Sequence, residues 1–156
     1  MKELNLPAYS FKFKLGDDGK TLIFDEMRKK FVVLTPEEWV RQHFINYLVN
    51  EKGYPKGRVA VEVMFKMNKL SRRADILVYD SAGEPVLIVE CKAPAVKITA
   101  TTFDQIVAYN LNFRLKYIVV TNGMKHYACS TDLDKNQWSF LDSIPDYESI
   151  TQSEIK

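Results

Sequence analysis

The segment from Arg72 to Pro94, RRADILVYDSAGEPVLIVECKAP, constrains the fold of this chain more than any other stretch. It contains two apolar runs separated by the turn-forming sequence SAGEP, a pattern typical of two neighbouring β-strands. The second run, VLIVECK, is apolar on both faces, as expected of a strand that is covered on two sides. Yet Asp75 opens the first run, and Glu90 and Lys92 end the second. Because a buried charge is costly unless it is paired or binds a metal, these charged strand ends indicate a specific arrangement.

The size and composition of the chain suit one globular domain. Its 156 residues are 46% hydrophobic and 27% charged, and a domain of roughly 150 residues buries about 70% of its unfolded surface. The net charge of +2 is too small to indicate a nucleic-acid partner by itself. Cys91 and Cys129 form no C-x-x-C pair and lie in or after apolar runs, which predicts two buried free thiols. We expect a cytoplasmic protein without a membrane partner, since no leader and no apolar run of about 18 residues is present.

Residues 1–34 predict a β-hairpin extension. Phe11, Phe13 and Leu15 alternate with lysines, which is the two-residue period of a strand, and a Gly-containing turn follows. The sequence FVVL at 31–34 is a third short run with β propensity.

A helix is predicted to follow this extension. Thr35 suits the N-cap, Pro36 suits the first helical position, and Glu38 completes the spacing of a capping box. Acidic residues in the first turn also favour the positive end of the helix dipole. Gly53 and Pro55 end the helix. Its apolar stripe contains Val40, Phe44, Tyr47 and Leu48.

The remaining pattern predicts three strands, a second helix and two further strands, at 58–68, 74–80, 86–92, 99–115, 116–123 and 124–130. This order is typical of a single α/β (α+β) domain over residues 1–156, in which helices flank a mixed central β-sheet. We expect a core at 35–130 and a C-terminal tail at 131–156. The tail is expected to pack through Trp138, Phe140 and Leu141 and to fray over its last ten residues.

Antiparallel pairing of the two apolar strands around SAGEP brings the charged ends together. Glu90 and Lys92 are two residues apart and share a face, and the start of the preceding strand places Asp75 beside them. Two neighbouring carboxylates repel each other unless a cation lies between them, and oxygen ligands suit Mg²⁺ or Mn²⁺. The set therefore predicts metal-assisted phosphodiester hydrolysis, with Lys92 orienting water or offsetting phosphate charge. The same spacing also fits a surface ion pair.

The segment ADILVYDSAGEPVLIVECK resembles the core motif of the PD-(D/E)xK nuclease superfamily. Asp75 matches the motif aspartate, Glu90 and Lys92 match its E-x-K, and Ala74 stands where the motif has proline. From about Thr35 to Cys129, the chain resembles the N-terminal nuclease domain of the R subunit of type I restriction enzymes. The resemblance implies a restriction-endonuclease-like core and a Mg²⁺-dependent deoxyribonuclease.

Gln105 and Tyr109 match the Q-x-x-x-Y motif that follows the nuclease core in that family. They are four residues apart and share a helix face; the resemblance implies that they steady the DNA or the catalytic lysine. Core packing of Tyr109 is the alternative. The superfamily often adds a carboxylate of the first helix to the metal site, which implies Glu38 as a third ligand beside Asp75 and Glu90. Glu62 is a rival for that role, and Glu38 could instead only stabilise the helix dipole.

Lys69, Arg72 and Arg73 are predicted phosphate contacts, with a solvated loop as the alternative. The sequence has no G-x-x-x-x-G-K-[ST] loop, so we expect no ATP site and no DNA translocation by this chain alone. It would act on DNA either alone, with a homodimer explaining double-strand cutting, or with other restriction-modification subunits. The alternative function is a non-catalytic module on a nuclease scaffold that binds DNA or a partner.

Overall fold

The computed structural model describes residues 1–152, which form two β-sheets and three α-helices. The smaller sheet contains β1 (Phe13–Leu15), β2 (Thr21–Asp25) and β3 (Lys30–Val33) as antiparallel neighbours in chain order. The predicted N-terminal β-hairpin and the third run with β propensity at 31–34 thus form one three-stranded sheet.

The larger sheet contains six strands in chain order: β4 (Val59–Met67), β5 (Leu70–Tyr79), β6 (Pro85–Cys91), β7 (Tyr117–Thr121), β8 (His126–Asp132) and β9 (Gln137–Phe140). All neighbours are antiparallel except β6 and β7, which are parallel. The helix α2 (Ala100–Leu111) connects that parallel pair, as such a pair requires a crossover. The predicted fold class, a mixed sheet with helices, is confirmed.

Two apolar cores cover the two faces of this sheet. The helix α1 (Pro36–Glu51) contributes Val40, Phe44 and Leu48 to the first core, together with Val89 and other strand residues. The helix α2 contributes Phe103, Val107 and Leu111 to the second core. From Leu87 to Val89 on β6 and from Ile118 to Val120 on β7, successive residues alternate between the cores, because side chains on a strand alternate between its faces.

The local signals at α1 act as the sequence predicts. The Thr35 side chain accepts a hydrogen bond from the Glu38 backbone N–H at 3.0 Å, and Pro36 is the first helical residue. The helix ends at Glu51, just before Gly53, whose φ of +72° suits glycine. Cys91 and Cys129 are buried free thiols, as predicted, and burial raises the pKa of Cys129 to about 12.

Three boundaries differ from the sequence predictions. β5 begins at Leu70, so Arg72 and Arg73 lie within a strand and not in a loop. α2 ends at Leu111 instead of Leu115, because Phe113 and Leu115 turn into the second core. The segment Gln137–Phe140 forms β9, which extends the sheet beyond the predicted core.

The predicted fraying of the last ten residues is wrong for the helix α3 (Tyr147–Thr151). Asp146 caps this helix through the Ser149 backbone N–H at 2.8 Å, and Ile150 is buried in the first core. Residues 153–156 of the predicted tail lie outside the described residues. Within the part of the chain that the structure describes, no helix is long and apolar enough to cross a membrane.

Candidate active site

The backbone is irregular around Asp75. Glu62, which occupies the facing position on β4, has a φ of +53°, a left-handed conformation that costs about 1–3 kcal/mol in a non-glycine residue. Ala74 and Ile76 belong to the cores on opposite faces of the sheet, so β5 changes face at Asp75. On β6, Glu90 follows Val89, which forms the last regular β5–β6 pair with Ile76, the residue after Asp75. The sheet therefore presents two carboxylates where its regular pairing ends.

The Asp75 carboxylate is held at both oxygens. Its Oδ2 accepts a hydrogen bond from the Cys91 backbone N–H at 2.8 Å, which ties β5 to the end of β6. Its Oδ1 lies 2.9 Å from Nη2 of Arg41, a residue of α1. Asp75 thus connects two strands of the sheet to the helix that covers them.

Arg41 is the centre of a cluster of carboxylates. Its Nη2 lies 2.8 Å from Glu37 and 2.7 Å from Glu62, and its Nη1 lies 2.8 Å from Glu38. The side chain is only 6% exposed. Burial alone would lower the pKa of Arg41, but the hydrogen bond to Asp75 and the surrounding negative charges raise it. The guanidinium therefore remains a buried positive charge.

A second arginine pairs with the other predicted metal ligand. Arg72 on β5 forms an ion pair with the Glu90 carboxylate, and its Nη1 donates to the Asn110 side chain on α2 at 2.6 Å. The same guanidinium lies 5.5 Å from the ring centroid of Tyr109. Arg72, predicted to contact phosphate, instead links the Q-x-x-x-Y helix to Glu90.

Lys92 follows β6 directly. Its backbone N–H donates to the Thr121 carbonyl at 2.8 Å, which continues the β6–β7 pairing. Its charge acts on Glu37: burial and the negative charge of Asp75 raise the pKa of Glu37, whereas the charges of Arg41 and Lys92 oppose this rise. The charges of Lys92 and Asp75 therefore both act on the same α1 carboxylate, Glu37.

Glu38 is fully engaged in the protein interior. One carboxylate oxygen contacts Arg28 and Arg41 at 2.8 Å each, and the other accepts from the Gln42 side chain at 3.1 Å. Its side chain is 7% exposed, whereas that of Glu37 is 46% exposed. The α1 carboxylate that offers a free edge beside Asp75 and Lys92 is thus Glu37. The sequence feature that indicates Glu37 is its spacing of four residues from Arg41, which makes the two side chains neighbours on the helix surface.

The other predicted site residues lie at the periphery. Gln105 is exposed on α2, one turn before Tyr109, which is 48% exposed and contacts the Phe113 ring at 5.6 Å between centroids. Lys69 is exposed in the turn between β4 and β5. Arg73 is 63% exposed and pairs with Glu62 at 3.2 Å. Lys69 and Arg73 thus remain accessible, while Arg72 is largely buried.

The donor set fits a cation that needs few protein ligands. Among residues 1–152, no group of three or more His, Cys, Asp or Glu side chains is arranged to hold a metal ion. Mg²⁺, however, uses one or two carboxylates together with water and substrate phosphate. Asp75 and Glu90 are both partly exposed and supply two hard oxygen ligands of this kind.

The chain is similar to a known protein family and to a solved structure. The model of the family described as Type I restriction enzyme R protein N terminus (HSDR_N) matches residues 36–145. A solved fragment described as an HsdR subunit of a type I restriction enzyme from Vibrio vulnificus YJ016 aligns at a TM-score of 0.50 and 21% identity. The alignment covers 72% of this chain but 24% of that one, and it shows a shared fold. None of the curated proteins matches the chain.

Proposed function

This chain belongs to the family of type I restriction enzyme R protein N termini, and from that premise we propose that it is a metal-dependent DNA endonuclease module. The observation that carries the proposal is the position of Asp75 and Glu90. They lie on neighbouring antiparallel strands, each next to Ile76–Val89, the last pair of the β5–β6 register, and Lys92 follows two residues after Glu90. Two carboxylates can hold a metal ion that activates water, and a nearby lysine can offset the charge that develops on the phosphate.

The protein groups have separate roles in this proposal. Asp75 and Glu90 would hold Mg²⁺ or Mn²⁺, which supplies a water of lowered pKa and polarises a phosphoryl oxygen when bound. Lys92 orients the attacking water or offsets the charge that grows on the phosphate. Tyr109 and Asn110 hold Arg72 beside Glu90, and so keep that carboxylate in place.

The substrate and partners are also proposals. DNA would be contacted mainly through its phosphates, by accessible basic side chains such as Lys69 and Arg73. The chain spans 24% of the Vibrio vulnificus chain. Because its family is described as the N terminus of the type I restriction enzyme R protein, we propose that it acts with other restriction-enzyme subunits.

One observation favours a second candidate, a non-catalytic module that binds DNA or a partner protein. Both predicted metal ligands already have an arginine partner, since Asp75 contacts Arg41 and Glu90 contacts Arg72. If these pairs are permanent, the carboxylates serve stability and not metal binding. Calorimetric titration with Mn²⁺ separates the two candidates, because only the nuclease requires binding that depends on Asp75 and Glu90.

Nicking of supercoiled plasmid in Mg²⁺ or Mn²⁺ tests the nuclease directly. We expect cleavage by the wild type and a loss of at least about 100-fold in Asp75→Ala and Lys92→Ala, since each removes a group that acts on the reacting phosphate. Lys135→Ala is the control, because Lys135 is exposed in the β8–β9 turn. It should cleave like the wild type.

Cleavage that survives in both Asp75→Ala and Lys92→Ala would place the activity elsewhere or in a contaminant. An inactive wild type that binds Mn²⁺ through Asp75 would indicate a nuclease that needs its partner subunits. An inactive wild type that binds no Mn²⁺ would favour the non-catalytic module.

A further inference from the structure

We propose that Arg41 is a positioning residue that acts as the internal counter-ion of the site and keeps its affinity for free divalent cations low. This inference rests on the proposed function, because it concerns the same carboxylates. Its basis is the geometry of one guanidinium among the carboxylates of Glu37, Glu38, Glu62 and Asp75.

The contacts are concentrated on one nitrogen. Nη2 of Arg41 lies within 2.9 Å of oxygens of Asp75, Glu62 and Glu37, although it carries only two N–H bonds. These three carboxylates come from β5, β4 and α1. They therefore share one positive group, and Glu62 also pairs with Arg73 at 3.2 Å.

The third nitrogen of Arg41 shows what this arrangement costs. Its Nε is buried and has no hydrogen-bond partner in the described chain, although a buried N–H is normally satisfied. The guanidinium is thus oriented to present its two Nη groups to the carboxylates at the expense of Nε.

The position of Arg41 places it in competition with a metal ion. A divalent cation bound by Asp75 would lie close to the Arg41 guanidinium, because Nη2 is 2.9 Å from the same carboxylate. Like charges at such a distance repel each other in a partly buried site, where solvent screens weakly. Arg41 consequently lowers the affinity for a free cation while it holds Asp75 in place.

Without Arg41, the carboxylates that it contacts would keep different numbers of other partners. Glu38 keeps Arg28 and Gln42, and Glu62 keeps Arg73. Asp75 keeps only the Cys91 amide among its contacts described above. We therefore expect the remaining carboxylates to attract a divalent cation in place of the guanidinium, and the fold to become dependent on that cation.

The experiment compares the full chain with Arg41→Gln by calorimetric titration with Mn²⁺ and by thermal unfolding in chelator and in Mn²⁺. We expect Arg41→Gln to bind Mn²⁺ at least about tenfold more tightly than the wild type, which corresponds to about 1.4 kcal/mol. In chelator, the melting temperature of Arg41→Gln should be lower than that of the wild type. Addition of Mn²⁺ should raise the melting temperature of Arg41→Gln by more than it raises that of the wild type. Arg58→Gln is the control, since Arg58 contacts Tyr147 away from this cluster and should leave Mn²⁺ affinity unchanged.

Affinity in Arg41→Gln that equals or falls below the wild-type value would overturn the inference. If that variant does not fold even with Mn²⁺, Arg41→Lys decides, because lysine retains the charge but lacks the forked contact. Because the charge is retained, we expect its Mn²⁺ affinity to stay within about twofold of the wild-type value, and a rise of about tenfold or more would reject the counter-ion role.

A further variant, Asp75→Asn, keeps this test separate from that of the proposed function. If the wild type binds Mn²⁺ in a way that Asp75→Asn abolishes and Arg41→Gln leaves unchanged, only the counter-ion role is rejected. If the wild type binds no Mn²⁺, or if Asp75→Asn binds Mn²⁺ as tightly as the wild type, the proposed metal site itself is rejected.

Discussion

At the residue scale, the adjacent carboxylates Glu37 and Glu38 have different environments. Glu38 is enclosed by two arginines and a glutamine, so its carboxylate has a structural role. Glu37 makes one contact to Arg41, and its exposed edge lies within electrostatic reach of Asp75 and Lys92. The predicted role of an α1 carboxylate in the site therefore passes from Glu38 to Glu37 in our proposal.

The two substitutions Glu37→Gln and Glu38→Gln test this division of roles. We expect Glu37→Gln to reduce plasmid nicking at least about tenfold while changing the free energy of unfolding by less than about 1 kcal/mol, since its ion pair is half exposed. Glu38→Gln should cost about 3 kcal/mol because it breaks two buried ion pairs, to Arg28 and to Arg41. Urea unfolding and nicking on the same preparations provide both numbers. Equal loss of stability in the two variants would contradict the assignment.

At the scale of elements, α1 connects the N-terminal sheet to the candidate site. Asp25 at the end of β2 is fully buried and pairs with Arg28, whose Nη2 lies 2.8 Å from Glu38 on α1. Glu38 in turn contacts Arg41, which holds Asp75. The extension at residues 1–34 is thus joined to the site by a continuous series of ion pairs.

This series predicts acid sensitivity through Asp25. Burial would raise the pKa of Asp25, but hydrogen bonds from the Arg28 backbone and side chain and the Arg28 charge outweigh it, so the pKa lies below the ordinary value of 3.8. The folded-state pKa is lower than the unfolded one, so the carboxylate stabilises the fold above about pH 4 and this contribution is lost as pH falls further. Asp25→Asn should lower the free energy of unfolding by about 3 kcal/mol at neutral pH.

The measurement is urea unfolding of wild type and Asp25→Asn from neutral pH to about pH 3. The difference between the two proteins should shrink below about pH 4, because the wild type alone loses the Asp25 contribution. Asp18→Asn is the control, since Asp18 is exposed and its contact to Lys20 is 4.0 Å long. A difference that stays constant across this range would exclude Asp25 as the titrating group.

At the scale of the whole molecule, the two cores hold the six-stranded sheet between α1 and α2, and each helix supplies an element of the site. α1 contributes Arg41 and Glu37 beside Asp75, and α2 contributes Tyr109 and Asn110 behind Arg72. The exposed basic side chains Lys69 and Arg73 lie outside both cores, at the β4–β5 hairpin. This hairpin is the proposed contact with phosphate.

Binding of duplex DNA should therefore depend on salt and not on sequence. With Ca²⁺ in place of Mg²⁺ to limit cleavage, we expect the double variant Lys69→Ala, Arg73→Ala to bind more weakly to unrelated duplexes by the same factor. The slope of log K against log salt concentration should decrease in magnitude by about 2, because two phosphate contacts are lost. Fluorescence anisotropy over a salt series measures it, and Lys135→Ala should retain the wild-type slope. An unchanged slope in the double variant would place the DNA contact elsewhere.

The accuracy of the sequence predictions differs between local and distant features. Thr35 and Pro36 define the start of α1 through hydrogen bonds and dihedral angles within one turn, so the sequence alone predicts that boundary. β9 has no such signal: its sequence QWSF contains two polar and two aromatic residues, and it becomes a strand by pairing with β8. Ile150 likewise gains its burial only from the first core. Local propensity was insufficient wherever partners distant in sequence provide the stabilising contacts.

The sequence by itself determined that Asp75 and Glu90 lie on neighbouring strands. Two apolar runs and the short turn between them predict an antiparallel pair, and in the structure Asp75 and Glu90 each lie next to its last regular pair, Ile76 with Val89. Only the tertiary structure decided which charges compensate them. Arg41 is 34 residues from Asp75 in sequence, and its contact depends on how α1 packs on the sheet. The physical reason is that periodicity acts within an element, whereas an ion pair between elements depends on how those elements pack.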